Sequence, residues 1–107
     1  MIPLIEQNRS RIAELCRKHS VLRLDVFGSA SEERGFDPSR SDIDFVVEYP
    51  PNHDLGPWLS RYFDLRRDLE MLLGRPVDVV IDPAPRNPHF IREIERTRRT
   101  VYAASGR

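Results

Sequence analysis

Two aspartates, Asp42 and Asp44, flank one isoleucine at the head of the apolar run Ile43, Phe45, Val46 and Val47, and a third, Asp78, interrupts the run "VDVVI". A strand built for burial seldom carries an unpaired charge, because burial without compensation costs several kcal/mol. Side chains alternate along a strand, so Asp42 and Asp44 project to one side while Ile43, Phe45 and Val47 project to the other. In the later run Val77, Val79 and Ile81 share one side, and Asp78 and Val80 lie opposite. If the two strands are neighbours, three carboxylates converge on one patch. Like charges so close raise one another's pKa and resist joint ionisation. A divalent cation removes the conflict, and hard Mg²⁺ takes carboxylate oxygens together with substrate phosphates. Two such ions about 3.5–4 Å apart stabilise the attacking and leaving oxygens of a displacement together. A lone Asp-x-Asp also suits solvated carboxylates at a strand mouth; Asp78 is what turns the reading toward metal.

Upstream, "VLRLDVFG" ends in Gly28-Ser29. Glycine lets the backbone approach a ligand closely, and Ser29 adds a hydroxyl and neighbouring backbone N–H groups, donors that suit a phosphate. A Gly-Ser pair alone also reads as a simple strand-ending turn. Its meaning comes from the aspartates that follow.

These residues need elements to position them. From Leu4 to about His19, Ile5, Ile12, Leu15 and Cys16 recur at helical spacing, which predicts an amphipathic helix. Leu22, Leu24 and Val26 alternate with Arg23, Asp25 and Phe27 in a strand that Gly28 ends. Residues 31–41 read as a loop, with one helical turn just after Ser29. The second strand, "DIDFVVEY", stops at Pro50-Pro51. Trp58, Tyr62, Leu65, Leu69 and Leu72 form a helical stripe that predicts core packing, with Gly74 as a left-handed cap and Pro76 barring continuation. "VDVVI" is the third strand. A last helix over "NPHFIREIERTRRTVY" starts at an Asn87 cap with Pro88 in its first position, and turns Phe90, Ile91, Ile94 and Val101 inward. The order is α-β-β-α-β-α, an α/β (α+β) chain with a small mixed sheet and helices packed on one face. Linkers are expected at 31–41, 50–57 and 82–86.

Composition narrows the classes. At 107 residues the sequence is expected to form one domain, 1–107, with no room for a second catalytic or acceptor domain. Hydrophobic residues at 39% and charged residues at 32% suit a folded core under a charged surface. Lys plus Arg equals Asp plus Glu, so no general positive field holds nucleic acid, and none is expected as a partner. One cysteine cannot form an internal disulfide, and no apolar run suggests a signal peptide or a membrane span; a cytoplasmic protein is expected.

Taken in order, "FGSA", "RG", "SDIDFVV" and "VDVVI" make the chain resemble the minimal nucleotidyltransferases of the DNA polymerase β superfamily, in particular the antitoxin members paired with HEPN-domain ribonuclease toxins. The resemblance runs from the leading helix to the "REIERTRRTVY" tail. It implies a polymerase-β-like nucleotidyltransferase core in which Gly28 and Ser29 cradle the triphosphate. It further implies that Asp42, Asp44 and Asp78 are the catalytic and metal-binding residues, holding two Mg²⁺ ions, with Asp78 helping to deprotonate the acceptor. One departure stands out: twelve residues, 30–41, separate Ser29 from Asp42, more than is usual in the family, and the extra length falls before Arg34-Gly35. The implied reaction is attack of an acceptor hydroxyl on the α-phosphorus of ATP, with release of pyrophosphate. The resemblance supplies the acceptor as a tyrosine of the HEPN toxin, which makes the chain the antitoxin of a type VII pair. A non-catalytic antitoxin that neutralises its toxin by contact, and a transferase acting on a small molecule such as an antibiotic, remain alternatives.

Other residues read more plainly. Arg92, Arg96 and Arg99 form either a solvated helix face or a contact surface for the partner or the phosphates. Arg34 and Arg40 lie where they could meet phosphate oxygens. His19, His53 and His89 are too scattered for zinc and are expected at the surface. Cys16 is expected to be a small core residue. Asp25 receives no role.

Overall fold

A computed structural model describes residues 1–82 and 87–104; of the expected 82–86 linker, residues 83–86 lie outside the described residues. The chain opens with α1 (Pro3–Gln7) and α2 (Arg9–Lys18) where one helix was expected. Asn8 divides them: its φ of −110° leaves the helical range, and its side-chain amide donates to the Leu4 carbonyl at 2.8 Å. Both pieces still bury the expected stripe, with Ile5, Ile12 and Cys16 inside.

Strand β1 (Arg23–Phe27) passes through one helical turn, α3 (Ser29–Glu32), to β2 (Ile43–Glu48). A 3₁₀ turn, Pro57–Leu59, precedes α4 (Ser60–Leu73), which leads to β3 (Val77–Ile81). Then come α5 (Pro88–Thr97) and β4 (Arg99–Ala103). The sheet order is β3-β2-β1-β4. β2 and β3 are parallel, joined by the α4 crossover, and β1 runs antiparallel to β2 and β4. In this mixed sheet β2 and β3 begin where β1 ends, so the Gly-Ser turn and the three aspartates meet at one end.

The first sheet face lies under α1, α2 and α4. Leu24, Val26, Ile43, Phe45, Val47, Val77 and Val79 pack there against Ile5, Ile12, Leu65 and Leu69. The opposite face is not bare: Phe27, Val46 and Val80 form a smaller cluster with Ile94 and Phe90 of α5. Helices therefore cover one face broadly, as expected, while α5 adds a narrower layer on the other. Asn87 caps α5 by accepting the Phe90 N–H at 2.9 Å, and Pro88 follows in the first turn. Gly74 ends α4 at φ +67°, the left-handed cap that the sequence predicts.

Further expectations need correction, among them Ile91, which its spacing turns inward on the last helix but which is 40% exposed. The last helix stops at Thr97 rather than running to Tyr102, and Arg98 turns to extended backbone (φ −65°, ψ 138°). Its guanidinium there meets the buried Asp25, and the following residues supply β1 with a partner on its free edge, burying Val101 from a strand. Trp58 does not head the core stripe: it is 94% exposed, because it lies in the turn before α4 at φ +55°. The buried stripe begins at Leu65, with Tyr62 half-buried and its hydroxyl donating to the Val79 carbonyl at 2.6 Å. Among the described residues no helix is long and apolar enough to cross a membrane.

Candidate active site

Asp44 sits centrally at this end of the sheet. It is in register with Asp78 of β3 on one side and with Phe27 of β1 on the other. Register partners project their side chains to one face, so Asp44 and Asp78 stand side by side across the parallel pair. Asp42 stands exposed one step before β2, Asp44 is half-buried and Asp78 is exposed. Burial, then the charge of Asp78, then that of Asp42 push Asp44 up to about 6. Burial is the larger cause of this shift, and the two neighbouring carboxylates add to it.

Gly28 borders the same carboxylate. Its φ of +72° favours glycine, and a Cβ built there would lie 3.2 Å from Asp44 Oδ2. Its N–H is not open to a ligand, because it donates to Thr97 Oγ1 at 2.9 Å. The Ser29 hydroxyl, by contrast, is bonded to no other described residue. Of the Gly-Ser pair, glycine supplies room and conformation while serine supplies the free donor.

The long loop before Asp42 is ordered by contacts that the sequence did not disclose. Asp37 accepts from the backbone N–H and the hydroxyl of Ser39, and its own N–H donates to Ser41 Oγ at 2.9 Å. These bonds fold the loop as an Asx turn. Arg75 binds it from outside, donating to the Ser41 carbonyl at 2.6 Å and to the Pro38 carbonyl, with its guanidinium 5.3 Å from the Phe36 ring centroid. Arg75 thus spans the backbone just before Asp42 and its own position three residues ahead of Asp78.

Asp25 also acquires surroundings. Fully buried on β1, it accepts from Arg98 Nε at 2.7 Å and from Arg23 Nε at 3.0 Å. Arg34 and Arg40 are exposed, and Arg40 lies 4.0 Å from Asp37. The arginine stripe does not persist: Arg96 is paired with Glu32 and Glu93 at 2.8 Å each, and Arg99 belongs to β4. His89 is exposed as expected, His19 meets Asp68 at 2.7 Å, and His53 stacks on Tyr49. Cys16 is in the core, where burial raises its thiol to about 12.

Among the described residues no group of three or more His, Cys, Asp or Glu side chains converges closely enough to hold a metal ion by itself. The donor chemistry nonetheless fits Mg²⁺, which is ordinarily bound by one or two carboxylates and completed by water and substrate phosphate. A half-buried carboxylate whose ionised form is opposed by two others gains from a cation.

A family model described as polymerase beta nucleotidyltransferase matches residues 10–107. Over 94 residues the chain is 35% identical to a Methanocaldococcus jannaschii protein named as a protein adenylyltransferase, MJ1379, covering 80% of this chain and 90% of that relative. A solved toxin–antitoxin structure with AMP-PNP superposes with a TM-score of 0.67 at 20% identity, covering 92% of this chain and 75% of that one. A Shewanella oneidensis complex of a tri-AMPylated HEPN toxin with its MNT antitoxin gives 0.63 at 19%, covering 94% and 73%. The two superpositions establish a common fold; the match along the sequence goes further, and by it this chain belongs to the polymerase beta nucleotidyltransferase family and is a nucleotidyltransferase.

Proposed function

We propose that the chain is a Mg²⁺-dependent adenylyltransferase that moves AMP from ATP to a tyrosine hydroxyl of a partner HEPN-domain ribonuclease toxin. It would thereby act in the cytoplasm as the antitoxin of a type VII pair. The observation that carries this reading is the register of Asp44 beside Asp78, with Gly28 so placed that a Cβ there would come within 3.2 Å of Asp44 Oδ2. The protein adenylyltransferase name of the 35% identical relative supports protein as the acceptor. The structural neighbour whose HEPN toxin is AMPylated supports the class of partner.

In this reading Asp42, Asp44 and Asp78 hold two Mg²⁺ ions, and Gly28 and Ser29 form the triphosphate turn, with the Ser29 hydroxyl as donor. The ions, when bound, neutralise charge that develops on the transferred group and the leaving oxygen. As the acceptor oxygen bonds to the α-phosphorus, its proton passes to Asp78, the exposed carboxylate of the register pair. The bond from that phosphorus to the bridging oxygen breaks, and pyrophosphate departs from the Ser29 side. Holding both reactants in one geometry supplies much of the rate. Neither nucleic acid nor a membrane takes part.

The test is incubation of the purified pair with Mg²⁺ and ATP labelled at the α-phosphate. Label is expected on the partner protein and is expected to vanish with the double substitution Asp42→Asn, Asp44→Asn. Wild type that transfers no label, while the double variant still rescues cells from the toxin, would replace catalysis with simple binding. Label appearing on an antibiotic instead of protein would move the acceptor to a small molecule.

A further inference from the structure

Thr97, which contacts Gly28, lies outside the set of residues assigned above. Thr97 ends α5, 69 positions along the chain from Gly28, and is 3% exposed. Its hydroxyl oxygen accepts the Gly28 N–H at 2.9 Å while its hydroxyl proton goes to the Glu93 carbonyl at 2.8 Å. The second bond fixes the rotamer, so a lone pair stays aimed at Gly28. The Thr97 carbonyl in turn accepts from Ser31 Oγ at 2.5 Å, and Arg96 Nη1 reaches Glu32 at 2.8 Å. Arg98, the next residue, is anchored to β1 through the buried Asp25. The end of α5 is therefore tied to the sheet by one residue and to the Gly-Ser turn by the two before it.

We propose that Thr97 is a positioning residue for nucleotide binding: by occupying the Gly28 N–H and the Ser31 hydroxyl it sets the turn so that the Ser29 hydroxyl faces the triphosphate. The inference rests on the nucleotide role of the Gly-Ser turn proposed above. Thr97 itself touches no substrate. Its loss should weaken ground-state and transition-state binding alike, because the turn grips phosphates present in both, and such uniform loss raises KM while sparing kcat.

The experiment compares Thr97→Val, which keeps the shape and removes the acceptor, with Thr97→Ser, which restores it. The readouts are KM for ATP and kcat in partner labelling, the affinity of the chain for a non-hydrolysable ATP analogue with Mg²⁺, and the melting temperature. Thr97→Val is expected to weaken analogue binding and raise KM about tenfold, with kcat held within about twofold, and Thr97→Ser to return both near wild type. A purely structural role predicts a lower melting temperature and a smaller active fraction with KM unchanged, and that result overturns the proposal. Should Thr97→Val fail to fold, Ser31→Ala decides: analogue binding weakened about threefold supports the proposal, and unchanged binding overturns it. Wild type that binds no analogue overturns both this inference and the nucleotide reading beneath it. Wild-type binding left intact by the variants overturns this inference alone.

Discussion

The two faces of the sheet are made from the same strands and do different work. In β2 the residues Ile43, Phe45 and Val47 enter the core beneath α1, α2 and α4, while Asp44, Val46 and Glu48 face the α5 side. The first face is apolar across β3, β2 and β1, and only at the β4 edge does a charged residue, the exposed Arg99, share it. On the second, the cluster of Phe27, Val46, Val80 and Ile94 shares its surface with the ion-paired Asp25 and the crowded Asp44. A period of two thus separates stability from chemistry within one strand. The cost is that the chemical face must be held by polar contacts, which tolerate exchange less readily than close-packed hydrocarbon.

Truncations measure how far that division extends. Phe45→Ala, on a fully buried ring of the first face, is expected to lower unfolding free energy by about 3–5 kcal/mol in urea titrations. Asp25→Ala follows at about 3 kcal/mol, because it removes the buried carboxylate shared by Arg23 and Arg98 and leaves Arg98, 13% exposed, paired with the solvent-exposed Glu95 alone among the described residues. Replacing both Asp25 and Arg98 by leucine and methionine should recover much of that loss, since the penalty comes chiefly from a guanidinium that has lost its buried partner. An Asp25→Ala variant less stable than Phe45→Ala would break the comparison, by showing that the α5 face carries the fold as much as the core does.

Legibility in the sequence followed the same division. Strand periodicity and the apolar stripes located the first face, down to Cys16, Leu65 and Leu69, because burial there is a matter of residue type and spacing. Which face each aspartate takes is readable for the same reason, whereas the adjacency of β2 and β3 and the register of Asp44 with Asp78 come from the fold. Contacts of long sequence separation were not readable. Nothing near Thr97 signals that its hydroxyl will meet Gly28, nor does anything near Arg75 signal the Ser41 carbonyl. The apolar positions of the run after Thr97 fit the spacing of the last helix, but tertiary pairing with β1 and the Arg98–Asp25 bond outweigh so short a periodic signal. Trp58 misled in the opposite way. It fits the stripe by spacing, yet the chain before Ser60 is not helical, so the four-residue step has no helix to act through.

The smallest expected change in stability is also the sharpest test of the chemical face. Asp44 is held up to about 6 against an ordinary 3.8, first by burial, then by Asp78 and Asp42. In buffer freed of divalent cations, folded and unfolded chains both keep this proton below about pH 4, and Asp44 then adds nothing to pH dependence. As the pH rises from about 4 toward 6, the unfolded chain ionises while the folded chain retains its proton, so stability falls and the penalty is complete above that window. Asp44→Asn cannot ionise. Its melting temperature relative to wild type should therefore climb across that interval to a small positive plateau, while label transfer drops at least about a hundredfold. Added Mg²⁺ should close the gap in wild type, because a bound cation favours the ionised carboxylate. If variant and wild type instead melt in parallel from pH 4 to 7, Asp44 is not crowded, and the second face loses the feature that distinguishes it from the first.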